Sequence, residues 1–580
     1  DAVDAIASIV PWYETKRRSK TYVASQHFRS LVITYLLFCV LLGAIIIDCI
    51  EGDVNFVQAF VVSMSAVTMA GISPVDFTTV SLATEIVVFV LIILSSPMLM
   101  TLLPVIIRRR SFWLQEKATK RMFQTQIGNS EENSAQVDAL RANTKRRHQV
   151  EFAALGKLCL VVPGYWLVVQ GTAFAVQTAW LTANPNKALV SSEASPVWWS
   201  LFSVVSDFHN AGFMVRTNSL VPFSADPVVL SIQAILILLG NTFFPIVLRW
   251  VVWANYRCSK EGSASRDAYR YLVYQPRRCF THLFPAQHTR YLLAVSLVLV
   301  AVQIGLSFLD GNDIAVEQGG SPTANLIFMS ISTRSAGSAS INLTELSLGT
   351  LFVYTCCMYI SASPLIVSMR YTVVKRERRI EKDITGMGEE EEAQQEAEQL
   401  QKLNSIRGQT TRFMTEHQLP LVFLMLVVII SEYRTPLDTP QTAPFPFLRV
   451  CFEFASCYGT VGLSLPPPGY AAFCGTWLPS SMMALSIVMF LGRLRGLPEN
   501  IDPSVRFSFS DSTRVALQNT ILQVKPERGS KFHGFREELL SQEQRAQVGP
   551  ILEEGGLGMA PVAGHSDHGV ELVERPASQN

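Results

Sequence analysis

Four glycines, Gly71, Gly212, Gly337 and Gly462, each close a short stretch lodged between two long apolar runs. The stretches are Ser65–Ser73, Ser206–Phe213, Ser332–Ser338 and Ser456–Ser464, and the glycines are separated by 141, 125 and 125 residues. In three of them (Ser65, Ser206, Ser456) a serine stands six positions before the glycine. Repetition at a long, nearly fixed interval speaks about architecture before it speaks about any residue. A membrane element used four times can be arranged around an axis, and that is one way for a chain to build a pore.

Composition agrees with a membrane setting. Of 580 residues, 49% are hydrophobic and 16% charged, with mean hydropathy +0.26; soluble chains carry about 25% charge. The apolar runs Leu31–Ile50, Val80–Ile107, Phe152–Trp180, Val228–Trp253, Tyr291–Leu309, Leu346–Val367, Leu419–Ile430 and Trp477–Leu491 read as eight spans. Between the members of each pair lies a shorter apolar piece: Phe56–Val67, Val197–Phe208, Leu326–Ile331 and Phe445–Phe454. Pieces this short read as re-entrant half helices. The expected fold is therefore an all-α integral membrane protein. It has four repeats of membrane helix, pore helix, membrane helix around a central pore: eight transmembrane helices plus four re-entrant half helices.

Lysine and arginine crowd the N-terminal segment, 108–147, 249–290 and 370–379, while the opposite loops hold Lys187, Arg216 and Arg434. That bias sets both termini in the cytoplasm. The expected organisation is a cytoplasmic N-terminal segment (1–30), repeat A (31–107), a cytoplasmic loop (108–151), repeat B (152–254) and a second loop (255–290). Repeat C (291–369), a cytoplasmic acidic linker (370–417), repeat D (418–497) and a cytoplasmic, mostly disordered tail (498–580) follow. The chain opens on Asp1 rather than methionine, leaving room for an extension, and the residues before the first span do not resemble a cleavable signal. Ten cysteines without CxxC or zinc-type spacing read as structural filling. No cofactor is expected. Net charge +1 gives no footing for nucleic acid, and no phosphate-loop or dinucleotide motif is present, so no nucleotide-binding domain is expected within the chain.

A half helix that ends at mid-membrane leaves carbonyls without partners, and the hydrocarbon core supplies none. A dehydrated cation can satisfy them: carbonyl oxygens replace its hydration shell, and four copies make a ring. The negative end of each helix dipole adds field at the same place. Glycine suits the spot because a side chain would crowd the axis and the turn demands unusual dihedrals.

At these residues the sequence resembles the Trk/Ktr/HKT superfamily of potassium and sodium transporters. Phe208–Phe213 resembles its "NAGF" filter, Gly240–Pro245 the "GNT-x-FP" break, Arg334–Gly337 the third filter and Met358–Ser361 the "MYIS" block. Tyr458–Ser464 resembles the fourth filter and Gly492–Pro498 the "GR-x-RGLP" ending, both most like the fungal Trk branch. The likeness runs from about Leu31 to Asp502. It implies potassium uptake at the plasma membrane through a filter of Thr68, Met69, Ala70 and Gly71; Asn210, Ala211 and Gly212; Ser335, Ala336 and Gly337; and Thr460, Val461 and Gly462. K+ would be held by backbone carbonyls at the four glycines. A glycine rather than serine at Gly71 implies potassium over sodium, and the family's habit implies a homodimer. The chain departs from the pattern in Met69, where a glycine is usual, in a short loop between its second and third spans, and in Cys457 for alanine.

The resemblance makes Arg493 an electrostatic barrier below the filter, against snorkelling to the interface, and Ser361–Ala362–Ser363, before Pro364, a flexible gate, against a simple kink. Arg495 reads as interfacial. Asp76 reads equally as a carboxylate that concentrates cations or as a cap before a helix starting at Thr78–Thr79. Asp207, Arg334 and Glu453 read as buried supports of the filter that need partners, and His209 as structural. A sodium-permeable, HKT-like transporter is the alternative within this class. An inverted-repeat secondary transporter of a small solute is the alternative outside it. A membrane enzyme would need a nucleophile, a base and an orienting partner at one depth, and no such set stands out.

Overall fold

The computed structural model describes residues 28–110, 134–184, 195–216, 218–240, 243–308, 322–360, 418–432 and 446–495. All lie in one compact unit, 13–511; the second unit, 1–12 with 512–580, lies outside them, as do the acidic linker and Ser361–Pro364. Among the described residues the regular structure is helical throughout.

The first helix, α1 (Phe28–Ile50), is apolar on every side, which suits a span in lipid. It stops where Glu51 and Gly52 begin a turn. Asn55 and Gln58 form a capping box that starts α2 (Phe56–Thr68). Ser81 accepts from the Thr84 N–H to start α3 (Leu82–Leu94). One Glu51 oxygen also accepts from Ser81 N–H (2.8 Å), Ser81 Oγ (2.6 Å) and Thr84 Oγ1 (2.7 Å), pinning the end of α1 to the start of α3. Burial pushes the Glu51 carboxyl up, and these donors outweigh it and hold it below the usual carboxylate range.

The run Val80–Ile107, read as one span, is in fact two helices. After α3 the chain breaks at Ser95–Ser96 and continues as α4 (Pro97–Arg110) at 44°. The proline that opens α4 cannot donate to the preceding turn, which accounts for the break. The second segment consists of α5 (Ser134–Ala183), α6 (Pro196–His209) and a bent pair, α7 (Pro227–Gly240) and α8 (Phe244–Cys258), crossing at 79°. Ser195 and Pro196 supply the N-cap and first turn of α6. A short helix, α9 (Ala264–Tyr274), packs on α5 and α8. The remainder comprises α10 (Ala286–Phe308), α11 (Pro322–Ser332), α12 (Leu348–Ile360), α13 (Leu419–Ser431), α14 (Pro446–Gly459) and α15 (Pro479–Leu494). Among the described residues three helices are long and apolar enough to cross a membrane, and five if each bent pair counts once. Large apolar side chains such as Phe38, Leu167, Phe423 and Ile430 stand on helix outsides, more than 60% exposed, as lipid contact requires.

The half helices α2, α6, α11 and α14 are largely buried, and Phe202, Phe208, Phe328 and Phe452 on the last three are fully so. The packing closes on itself: α3 lies against α6, α7 against α11, α12 against α14, and α15 returns to α2. Each seam carries its own tie. Trp198 Nε1 donates to Glu85 Oε2 (2.6 Å) between the first and second segments. Asn325 Nδ2 donates to the Ser224 carbonyl (2.8 Å) between the second and third. The rings of Tyr359 and Tyr458 stack 5.7 Å apart between the third and fourth, and Arg493 donates to the Ser95 carbonyl between the fourth and first.

Candidate functional site

The ends of the half helices share one construction, with one exception. Met69, Asn210 and Thr460, each two residues before a glycine, adopt left-handed dihedrals (φ 60, 57 and 52°). The next N–H then turns back five residues: Ala70 to Ser65 O (2.9 Å), Ala211 to Ser206 O (2.8 Å) and Val461 to Ser456 O (2.9 Å). This is the left-handed helix stop that satisfies orphan carbonyls. The recurrent serine therefore contributes its carbonyl in all three, and at Ser456 its hydroxyl also accepts from Gly462 N–H (3.1 Å). The third stretch ends differently: Ala336 and Gly337 N–H both donate to Ser332 O (3.0 and 3.1 Å), and Ser335 lacks a positive φ.

All four glycines have positive φ, 72° at Gly71 and Gly212, 71° at Gly337 and 115° at Gly462. They meet. A Cβ on Gly71 would lie 2.7 Å from the Ala211 carbonyl oxygen and 2.9 Å from Gly462 Cα; one on Gly462 would lie 3.0 Å from the Ala70 oxygen. A Cβ on Gly212 would run into the Ala336 oxygen and one on Gly337 into the Val461 oxygen, both closer still. Each glycine thus abuts the carbonyl that precedes the next glycine, in a closed cycle that returns from the fourth to the first. Thr68, at the end of α2, spends its hydroxyl on the Met64 carbonyl (2.7 Å).

Beyond the glycines a funnel of ≈ 350 Å³ opens, lined by all four of them and by the loops that follow. Among its described lining residues the one charged side chain is Arg216, and Asp76 is not there. Asp76 Oδ1 instead accepts from Thr78 N–H (2.8 Å) and Thr78 Oγ1 (2.5 Å), and the helix it was expected to cap begins at Leu82, capped by Ser81. Asp76 thus shapes a turn, and the cap of the following helix is Ser81 rather than Asp76.

Behind the glycines four buried side chains make defined contacts. Glu453 accepts from Ser464 Oγ (2.7 Å) and Cys474 N–H (3.2 Å). Arg334 donates to the Ser296 carbonyl (3.5 Å). Asp207 accepts from Ser338 Oγ (2.5 Å). His209 Nδ1 lies 2.7 Å from the Val205 carbonyl while Nε2 accepts from Trp166 Nε1 (2.9 Å). Both its nitrogens are occupied, so it serves packing. All ten cysteines are free, and no cluster of three or more metal-ligating side chains occurs among the described residues.

A family model for the cation transport protein TrkH matches residues 125–511, about two-thirds of the chain. The chain belongs to this family. Among its relatives are the low-affinity potassium transport protein of Saccharomyces cerevisiae, 28% identical over 400 residues (64% of this chain, 45% of that protein), and potassium transport protein 1 of Schizosaccharomyces pombe, 30% identical over 379 residues (64% and 44%). The potassium transporter TRK1 of Candida albicans is 29% identical over 366 residues (61% and 34%). The chain spans less than half the length of these relatives, which set it on the fungal side of the Trk superfamily. The crystal structure of the potassium transporter TrkH from Vibrio parahaemolyticus is a looser likeness, with TM-score 0.45 and 12% identity over 83% of this chain and 85% of that one. The family is one of cation transport, and the membrane-enzyme reading has no support in it.

This TrkH-family chain carries two arginines at the C-terminal end of α15. Arg493 Nη2 donates to the carbonyl of Ser95, freed at the break between α3 and α4. Arg495, expected at the interface, is half-buried, its guanidinium 4.3 Å from the centre of the Tyr458 ring, with Nη1 donating to the Tyr359 carbonyl (3.4 Å). Neither contact could be read from sequence, because the partners lie 398 and 136 residues away. Similarly, Tyr165 Oη donates to the Leu239 carbonyl (2.8 Å) where α7 ends. The gate residues Ser361, Ala362 and Ser363 lie outside the described residues.

Proposed function

We propose that this chain takes up potassium ions across the plasma membrane through a filter formed where Gly71, Gly212, Gly337 and Gly462 meet. The observation that carries the reading is the closed cycle of glycines against carbonyls: the oxygens of Ala70, Ala211, Ala336 and Val461 each lie so close to a neighbouring glycine that a Cβ there would meet them. Such a set suits a dehydrated monovalent cation. The names of the relatives supply the ion. Potassium is the transported substrate, and no cofactor enters.

In this reading the four segments are repeats of span, half helix, span, giving eight crossings with both termini cytoplasmic, as the lysine and arginine bias requires. The inward-negative potential contributes about 2.3 kcal/mol per charge per 100 mV, which is enough for accumulation without ATP. The remaining filter residues (Thr68, Met69, Asn210, Ser335 and Thr460) shape the turns. Arg493 sets an electrostatic barrier below them, and Ser361–Ala362–Ser363 form the gate. Two copies assemble in the bilayer.

The test is uptake of Rb+ and Na+ by the full chain in liposomes under an imposed potential, for the wild type and Gly71→Ser. The expected result is Rb+ well above Na+ in the wild type and a rise in relative Na+ uptake in the variant. Equal uptake of both ions by the wild type favours the sodium-permeable alternative. A need for an added organic solute favours the inverted-repeat alternative.

A further inference from the structure

The second and third glycine turns carry a pair of residues with no counterpart elsewhere in the cycle. The residue following the glycine is large and apolar in three turns, Ile72, Phe213 and Leu463, each at most 2% exposed. In the third turn it is Ser338, fully buried. Five residues before the glycine, three half helices carry a small side chain (Ala66, Ser332, Cys457), and the second carries Asp207, also fully buried. The two exceptions face each other: Ser338 Oγ donates to Asp207 Oδ1 at 2.5 Å, across 131 residues of chain. Asp207 Oδ2 has no hydrogen-bond partner among the described residues.

The third turn is also the one without a left-handed stop of its own. Its glycine N–H folds back on Ser332 O, and Ser332 Oγ donates to the Ser338 carbonyl (2.6 Å). Ser338 is therefore gripped at both ends, by Ser332 from its own half helix and by Asp207 from the neighbouring one. Gly337 sits one bond away, against the Val461 carbonyl.

We propose that Asp207 is a positioning residue of the third turn: by holding the Ser338 hydroxyl it fixes the register of Gly337 and so the spacing of the carbonyls that choose the cation. The inference rests on the reading of the four glycines as an ion filter. Deleting either partner strands the other in a buried site, so the two residues act as one unit rather than independently.

The test compares Rb+ and Na+ uptake, as a ratio, by the full chain in liposomes for Ser338→Ala, Asp207→Ala, the double variant and Asp207→Asn. A ratio is unaffected by how much protein folds, which separates positioning from mere stability. Ser338→Ala removes one oxygen and keeps the backbone, so it remains informative should Asp207→Ala fail to insert. The expected result is a fall in the ratio on the order of five- to tenfold for either alanine variant. The double variant should fall no further, and Asp207→Asn, which keeps an acceptor oxygen, should retain most of the preference. A wild-type ratio in Ser338→Ala, or losses that multiply in the double variant, overturns the proposal. A wild type that does not discriminate between the two ions removes the potassium preference on which this inference rests and takes the inference with it.

Discussion

At Gly212 two separate demands fall on one residue. Its φ of 72° costs any L side chain about 1–2 kcal/mol, and a Cβ would collide with the Ala336 carbonyl oxygen of the neighbouring turn. Gly262 has the same kind of backbone (φ 76°) with nothing within 4 Å of a Cβ. The pair isolates crowding from strain. Gly212→Ala should lower Rb+ uptake per folded molecule at least tenfold, roughly what a displaced carbonyl in a close-packed site costs, while Gly262→Ala should leave it near wild type. Uptake assays normalised to membrane abundance decide it, and equal behaviour of the two variants would remove the collision from the account. The glycines were legible in the sequence because no other residue fits such a turn, and their recurrence announced that the turns belong together. Asp207 and Ser338 were not legible as a pair. Asp207 read as a buried support in need of a partner, but nothing in the sequence pointed to Ser338, and only folding brings them within 2.5 Å.

At the scale of elements, the apolar runs foretold where helices lie but not where they break. The run Val80–Ile107 looks continuous because Ser95–Ser96–Pro97 interrupts it only briefly, and hydropathy averages over so short a gap. The break matters because it frees the Ser95 carbonyl for Arg493. Arg495 does the same for the Tyr359 carbonyl at the end of the described part of α12, while its guanidinium lies over Tyr458. The last helix thus reaches the first segment through one arginine and the third through the other. A half-buried guanidinium on a tyrosine face contributes about 1 kcal/mol. Arg495→Gln should therefore lower the unfolding midpoint of the detergent-solubilised protein by a few degrees, and Arg495→Lys should recover little, since lysine lacks the planar fork. Thermal unfolding followed by tryptophan fluorescence reads both. An unchanged midpoint in Arg495→Gln would mean that the stacking contributes nothing.

Among the described residues one buried apolar cluster joins all four segments, and the seams set their order around it. Each outgoing helix leans on the half helix of the next segment, and the fourth seam returns to the first. The order in which the segments touch is set by three-dimensional packing and could not be read from the glycine motifs. The funnel over the glycines bears Arg216 and, among its described lining, no carboxylate; in the proposed function the carbonyls rather than a charged vestibule choose the cation. That makes the meeting point of the glycines the place where the account stands or falls. Crystals or vitrified particles prepared in Rb+ or Tl+ would locate the ion by anomalous or difference density. The account predicts a peak among the carbonyl oxygens of Ala70, Ala211, Ala336 and Val461, and its loss in Gly212→Ala. Transport-competent protein with its ion density elsewhere, and none between those four oxygens, would contradict it.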